Sequence, residues 1–144
     1  MLINVKQKYV SKPLNLEEDF ALLMTATINV KGMPKAYPNT PEERQEIYFN
    51  SLKYYINNHP RIRKIIFVEN SGWSLDRVQR AIENNPYNKE VELISLDCND
   101  FARELGKGYG ECLLIEKGLE QSSIINGVTH FAKITGRIHL TNLT

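Results

Sequence analysis

The stretch KIIFVENSGWSLD, residues 64–76, sets the frame for the whole chain. Its first half is apolar and rich in β-branched Ile65, Ile66 and Val68, which predicts a buried strand. Asn70, Ser71 and Gly72 then supply turn chemistry. Ser74 has the character of a helix N-cap, and Leu75, Val78 and Ile82 follow at helical spacing until the breaker NNP at 84–86. Strand, tight turn and helix together make one βα unit.

The same unit recurs on both sides. Upstream, FALLMTATINV (20–30) reads as a buried strand. It breaks at KGMPKAYPNTPEE, a loop with three prolines and a glycine. Thr40 as N-cap, Pro41 at the first helical position and Glu43 as the partner of a capping box then start a helix. Tyr48, Leu52, Tyr55 and Ile56 share its buried face, and NNHP ends it. Downstream, EVELISLD (90–97) is a third strand. GKGYGE (106–111) reads as a loop opening a third helix with Cys112, Ile115 and Leu119 on one face. HFAKITGRIHL (130–140) is a fourth strand interrupted by Gly136. The first ~19 residues, polar and weakly periodic, predict an extended arm or edge strand ending in the acidic EED of 17–19. This alternation predicts one α/β domain over 1–144, a three-layer Rossmann-like arrangement with a mostly parallel central sheet and helices on both faces.

Composition narrows the function classes. The 144 residues are 42% hydrophobic and 24% charged, as in a globular protein. Lys and Arg number 18 against 17 for Asp and Glu, so no basic excess argues for nucleic acid or an anionic membrane. Any phosphate site must be local. Cys98 and Cys112 are too few and too far apart for a zinc knuckle or a disulfide framework, and fit a reducing compartment. The N-terminus has three lysines in its first dozen residues and no sustained apolar run, so neither a signal peptide nor a membrane span is predicted, and the expected location is cytoplasmic. The terminal NLT, formally a glycosylation acceptor, is set aside on the same ground.

In parallel sheets ligands lie beyond the carboxyl ends of the strands, which directs attention to four loops. In FVENSGW, Glu69 offers a carboxylate to ribose hydroxyls or a base N–H, and Asn70, Ser71 and Gly72 surround it; the plainer reading is an Asx-type turn. Thr25 and Thr27 can bond a base, or serve simply as good strand residues. GKGYGE fits neither a Walker loop nor the dinucleotide fingerprint. It is either an anion cradle at a helix N-terminus, with Lys107 as its charge, or a place where helix and sheet pack closely. Arg137, after Gly136, can clamp a diphosphate or pair with a carboxylate, and the glycine signals a bulge or close backbone approach. Asp97 and Asp100 are of the type that binds hard metals, yet loop carboxylates are usually solvated. His59, His130 and His139 have no spaced partners, and no nucleophile elbow is present.

Taken in order, ALLMTATINV, YFNSLKYYI, KIIFVENSGWSLD, VELISLD, GKGYGECLLIEKGLEQS and FAKITGRI resemble the N-terminal, nucleotide-binding half of GT-A-type nucleotide-sugar glycosyltransferases, closest to bacterial polysaccharide-biosynthesis members. The resemblance spans about 20–140 and rests on the order of elements rather than on one motif. It implies a nucleotide-sugar donor, a carbohydrate or lipid-linked acceptor, and a GT-A-type fold. It assigns Thr25, Thr27, Glu69, Asn70, Ser71 and Gly72 to the base and ribose, and Lys107, Gly108 and Arg137 to the diphosphate. Such families hold Mn²⁺ or Mg²⁺ through an Asp-x-Asp signature. No Asp-x-Asp occurs here, and Gly136 and Arg137 stand where it is sought. No metal ligand is assigned, and no catalytic residue, since the half expected to carry the base and bind the acceptor would lie beyond Thr144. The competing readings are a non-catalytic nucleotide-binding or assembly module, and a small enzyme acting on another nucleotide or phosphorylated substrate. A half-domain also predicts an exposed edge and self-association.

Overall fold

The computed structural model describes residues 4–10, 20–33 and 36–141, so the acidic residues 17–19 and the NLT of 142–144 lie outside the described part. Five strands form one sheet: β1 (Asn4–Val10), β2 (Phe20–Ala26), β3 (Lys64–Glu69), β4 (Glu90–Asp97) and β5 (His130–Thr135). Their order is β1-β4-β3-β2-β5. β2, β3, β4 and β5 run parallel, with Leu22 opposite Ile65, Phe67 opposite Leu93, and Met24 opposite Ile134. β1 adds the expected edge strand, antiparallel to β4.

Helix α1 (Pro41–Asn57) and the short α2 (Asp76–Gln79), continued by a 3-10 turn at Arg80–Glu83, cover one face. Helix α3 (Gly106–Gln121) covers the other. The reason lies in the strand order. From β2 the chain steps to β3 and then β4 in one direction, and then returns to β5 on the far side of β2. Crossovers of one hand must change faces when the direction reverses. The α/β three-layer expectation is met.

Side-chain alternation divides the core accordingly. Leu22, Met24, Ile65, Phe67, Val91 and Leu93 point to α1, whose Tyr48, Leu52, Tyr55 and Ile56 are all buried against them. Each such side chain contributes about 1.5–3 kcal/mol by leaving water. Thr40 caps α1 as the sequence predicts, accepting a hydrogen bond from the Glu43 N–H at 3.4 Å. At the other end the buried Lys89 ammonium donates to the carbonyls of Tyr55, Asn58 and His59, an unpredicted cap. Ala21, Leu23, Ile66, Val68, Ile94 and Leu96 face α3.

Three local expectations are corrected. GKGYGE is not a loop but the first turns of α3 itself. The buried face of that helix is Gly110, Leu114 and Gly118, while Cys112 is exposed. Spacing of four residues places the small residues inward, and the helix can then lie close to the sheet: a Cβ on Gly118 would stand 2.8 Å from Val68 Cγ2. The N-cap of α2 is Leu75 rather than Ser74, although Ser74 Oγ still accepts from the Asp76 N–H at 3.2 Å. β5 ends at Thr135, and Gly136 turns the chain out of the sheet. The outer edge of β5 pairs with no strand among the described residues, and Phe131 is exposed on it.

Candidate functional site

The reversal of strand order falls between β2 and β5, and a crevice must open there at the carboxyl ends. The structure has a cleft of about 260 Å³ at this position, lined from β2, β3 and β5, the start of α1 and the first turns of α3.

Five sequence-predicted residues come together in it: Thr25, Thr27, Asn70, Lys107 and Arg137. Thr27 Oγ1 donates to Asn70 Oδ1 at 2.7 Å, joining the ends of β2 and β3. Thr25 Oγ1 donates to Glu111 Oε1, also at 2.7 Å. Arg137 reaches the cleft because Gly136 permits a very close approach. The Gly136 N–H donates to the Thr25 carbonyl at 2.8 Å, and a Cβ on Gly136 would lie 2.7 Å from that oxygen and 3.2 Å from the Tyr48 ring. The Arg137 guanidinium is exposed and donates to the Tyr37 carbonyl at 3.0 Å. The close backbone approach expected at Gly136 is present, while the Arg137 guanidinium meets a backbone carbonyl rather than a carboxylate.

Glu69, Ser71, Gly72 and Gly108 are not brought to the cleft wall. Glu69 is fully buried. Its Oε1 accepts from the Ile28 N–H at 3.0 Å, the Ser71 N–H at 2.9 Å and the Ser71 hydroxyl, and its Oε2 accepts from the Trp73 N–H at 3.2 Å. Burial pushes the Glu69 pKa above the ordinary carboxylate value, against hydrogen bonds that favour the charged form. The N–H of Gly72, at φ +72°, is taken by the Leu96 carbonyl. The ENSG turn is thus a knot that fastens the loops after β2 and β3 to one carboxylate. Gly108 lies on the exposed side of α3 with open space around it.

The sequence reading missed several cleft residues. Arg44, in the first turn of α1, is buried and donates to the carbonyls of Thr27 and Pro38 and to the Tyr48 hydroxyl. Among the described residues, Glu111 is the one carboxylate lining the cleft. Its Oε1 is shared by Thr25 and the Lys133 ammonium of β5. Had GKGYGE been read as a helix, the i, i+4 spacing of Lys107 and Glu111 would have put both on one face. Asn99 and Phe101, past the end of β4, also line the cleft; Asn99 falls within LDCND, a strand end to which the parallel-sheet rule points, although only its carboxylates were singled out there.

Among the described residues positive charge outnumbers negative in the lining: Arg44, Lys107 and Arg137 against Glu111. Helix α3 has no side-chain N-cap and no acidic residue in its first turn, so nothing from those sources offsets its positive end. Asp97 and Asp100, the metal candidates, do not converge. Asp97 pairs with Lys31 at 3.4 Å, and no group of three His, Cys, Asp or Glu side chains suited to a metal exists among the described residues. Cys98 is buried, and burial, with the charges of Glu69 and Asp97, pushes its thiol up to about 11. No described helix is long and apolar enough to cross a membrane.

Comparisons with protein-family models, with curated proteins and with solved structures give no match to this chain.

Proposed function

We propose that the cleft binds a nucleoside-diphosphate sugar and that the chain is the donor-binding part of a glycosyltransferase of GT-A type. It would serve transfer of the sugar to a hydroxyl of a carbohydrate or lipid-linked acceptor in surface-polysaccharide biosynthesis. The observation that carries this reading is the cationic cleft at the point where the strand order reverses, with Lys107 on one side and Arg137 on the other. In the glycosyltransferases that the chain resembles, acids that hold a metal stand where Thr135, Gly136 and Arg137 stand here. A guanidinium in that place offsets charge on the leaving diphosphate and can grip it through two parallel hydrogen bonds. The uncapped first turn of α3 adds backbone N–H groups and a favourable dipole.

One observation favours a second reading, a non-catalytic nucleotide-binding module. Glu111 Oε1 is shared by Lys133 and Thr25, an arrangement that neutralises a carboxylate rather than freeing it to deprotonate an acceptor.

Calorimetric titration with UDP, CDP, GDP, ADP and their sugar nucleotides, with and without Mn²⁺ and with inorganic phosphate as control, tests the site. Selective saturable binding, weakened about tenfold by Lys107→Ala or Arg137→Ala, is the expected result. Binding to none of them, or equal binding of phosphate, would overturn it. Release of nucleoside diphosphate only when acceptor is present separates transfer from binding alone.

A further inference from the structure

Asn99 lies two residues past the end of β4 and lines the cleft, yet it is only 2% exposed. Its side-chain nitrogen is buried and has no hydrogen-bond partner among the described residues. Buried polar groups are nearly always paired, because an amide N–H removed from water and given no acceptor destabilises the fold. Among the described residues, Asn99 is the cleft-lining side chain in this condition. An acceptor supplied by a ligand would complete it.

The chemistry around Asn99 indicates which acceptor. The Asn70 carbonyl accepts from the Cys98 N–H at 3.0 Å, so Asn70 and Asn99 stand on adjoining strand ends, and both neutral amides line the cleft. Beside it is the Phe101 ring, packed so closely on α3 that a Cβ on Gly110 would stand 2.6 Å from it. An anionic oxygen is better served by the charged donors Lys107 and Arg137, which also line the cleft. A buried neutral N–H next to an aromatic ring matches the carbonyl oxygen of a planar heterocycle.

We propose that Asn99 is a specificity-determining residue of the cleft: its amide N–H donates to an exocyclic carbonyl oxygen of a nucleobase lying beside Phe101. The cleft therefore selects a carbonyl-bearing base, uracil, cytosine or guanine, over adenine, which presents no carbonyl. This rests on the nucleotide-sugar reading and adds to it the identity of the base edge and the residue that reads it.

The test combines thermal melts with titration of UDP, CDP, GDP, ADP and inorganic pyrophosphate against wild type, Asn99→Ala and Asn99→Asp. The ligand-free Asn99→Ala protein should melt at or above the wild-type temperature, because no hydrogen bond within the protein is lost. Its affinity for UDP, CDP or GDP, whichever wild type prefers, should fall about tenfold while pyrophosphate affinity stays unchanged. Asn99→Asp replaces a donor by an acceptor, and should shrink the preference for that nucleotide over ADP by more than tenfold, a ratio from which the added charge cancels. Wild-type affinity for UDP, CDP and GDP in Asn99→Ala, or ADP bound as tightly as all three, would overturn the proposal while leaving the nucleotide reading intact. A ligand-free Asn99→Ala that melts well below wild type and loses pyrophosphate in parallel would also overturn it, as a structural role. Wild type that binds no nucleotide better than pyrophosphate would instead sink the nucleotide reading, and this proposal with it.

Discussion

The turn after β3 and the first turns of α3 both combine glycine with charged side chains. In the folded chain they do opposite things. The carboxylate of Glu69 is closed inside its own turn, receiving hydrogen bonds from Ile28, Ser71 and Trp73. Lys107 is exposed and lines the cleft from the open end of a helix. What separates them is the number of nearby backbone donors. Two loops converge on Glu69, and their otherwise unpaired N–H groups need one acceptor. Lys107 and Gly108 instead open a helix, and both are exposed.

The largest effect is expected at Glu69. Glu69→Ala leaves three backbone N–H groups without their acceptor, at about 1–3 kcal/mol each, so a loss of roughly 3 kcal/mol or more should appear in denaturant melts. An exposed, ligand-binding Glu69 would cost far less. The pH dependence sharpens the point. Because the folded-state pKa is raised, the folded state holds the proton more tightly than the unfolded chain. That contribution is fully present below the ordinary value of about 4.5 and is lost as pH rises through the folded pKa. The stability of wild type relative to Glu69→Gln should therefore decline with rising pH across that window. A flat difference would mean that the carboxylate is not buried.

Next come the glycines. Gly118→Ala and Gly136→Ala each force a Cβ to within 2.8 Å or less of Val68 and of the Thr25 carbonyl respectively. Each should cost about 1–3 kcal/mol. Gly136→Ala should also weaken ligand binding, since it displaces Arg137, whereas Gly118→Ala should not. Lys107→Ala and Arg137→Ala should alter stability by less than about 0.5 kcal/mol while weakening nucleotide binding about tenfold. Loss of stability without loss of binding would reverse the contrast between the two regions.

The smallest effect tests the remaining glycine. Gly108 meets open space in a helix, so Gly108→Ala should stabilise by about 0.5–1 kcal/mol and leave binding intact. Lost binding would show that a ligand approaches the backbone there, as the sequence reading assigned.

Much of the fold was legible because it depends on local signals. The capping box at Thr40 and Glu43, the continuous apolar strands and the breakers NNHP and NNP each act within a few residues. The α1 face of Tyr48, Leu52, Tyr55 and Ile56 followed from spacing alone. GKGYGE misled because glycine is a poor helix former, and here tertiary packing overrides propensity: Gly110 and Gly118 are needed against Phe101 and Val68. Thr25, Thr27, Asn70 and Arg137 reach the cleft because they stand at or just past strand ends of a parallel sheet, and Lys107 because it opens α3. Glu69 was indistinguishable from them, since a sequence does not show which backbone donors will converge on a carboxylate. Arg44, and the burial of the Asn99 amide within the strand-end stretch LDCND, were not legible for the related reason that they depend on contacts between elements distant in sequence.

A crystal structure with the tightest-binding nucleoside diphosphate tests the central claim most directly. The account predicts the diphosphate between Lys107 and Arg137 at the β2–β5 reversal, with Glu69 still enclosed by Ile28, Ser71 and Trp73. A ligand bound elsewhere, or one that draws Glu69 out of its turn to meet it, would contradict the account.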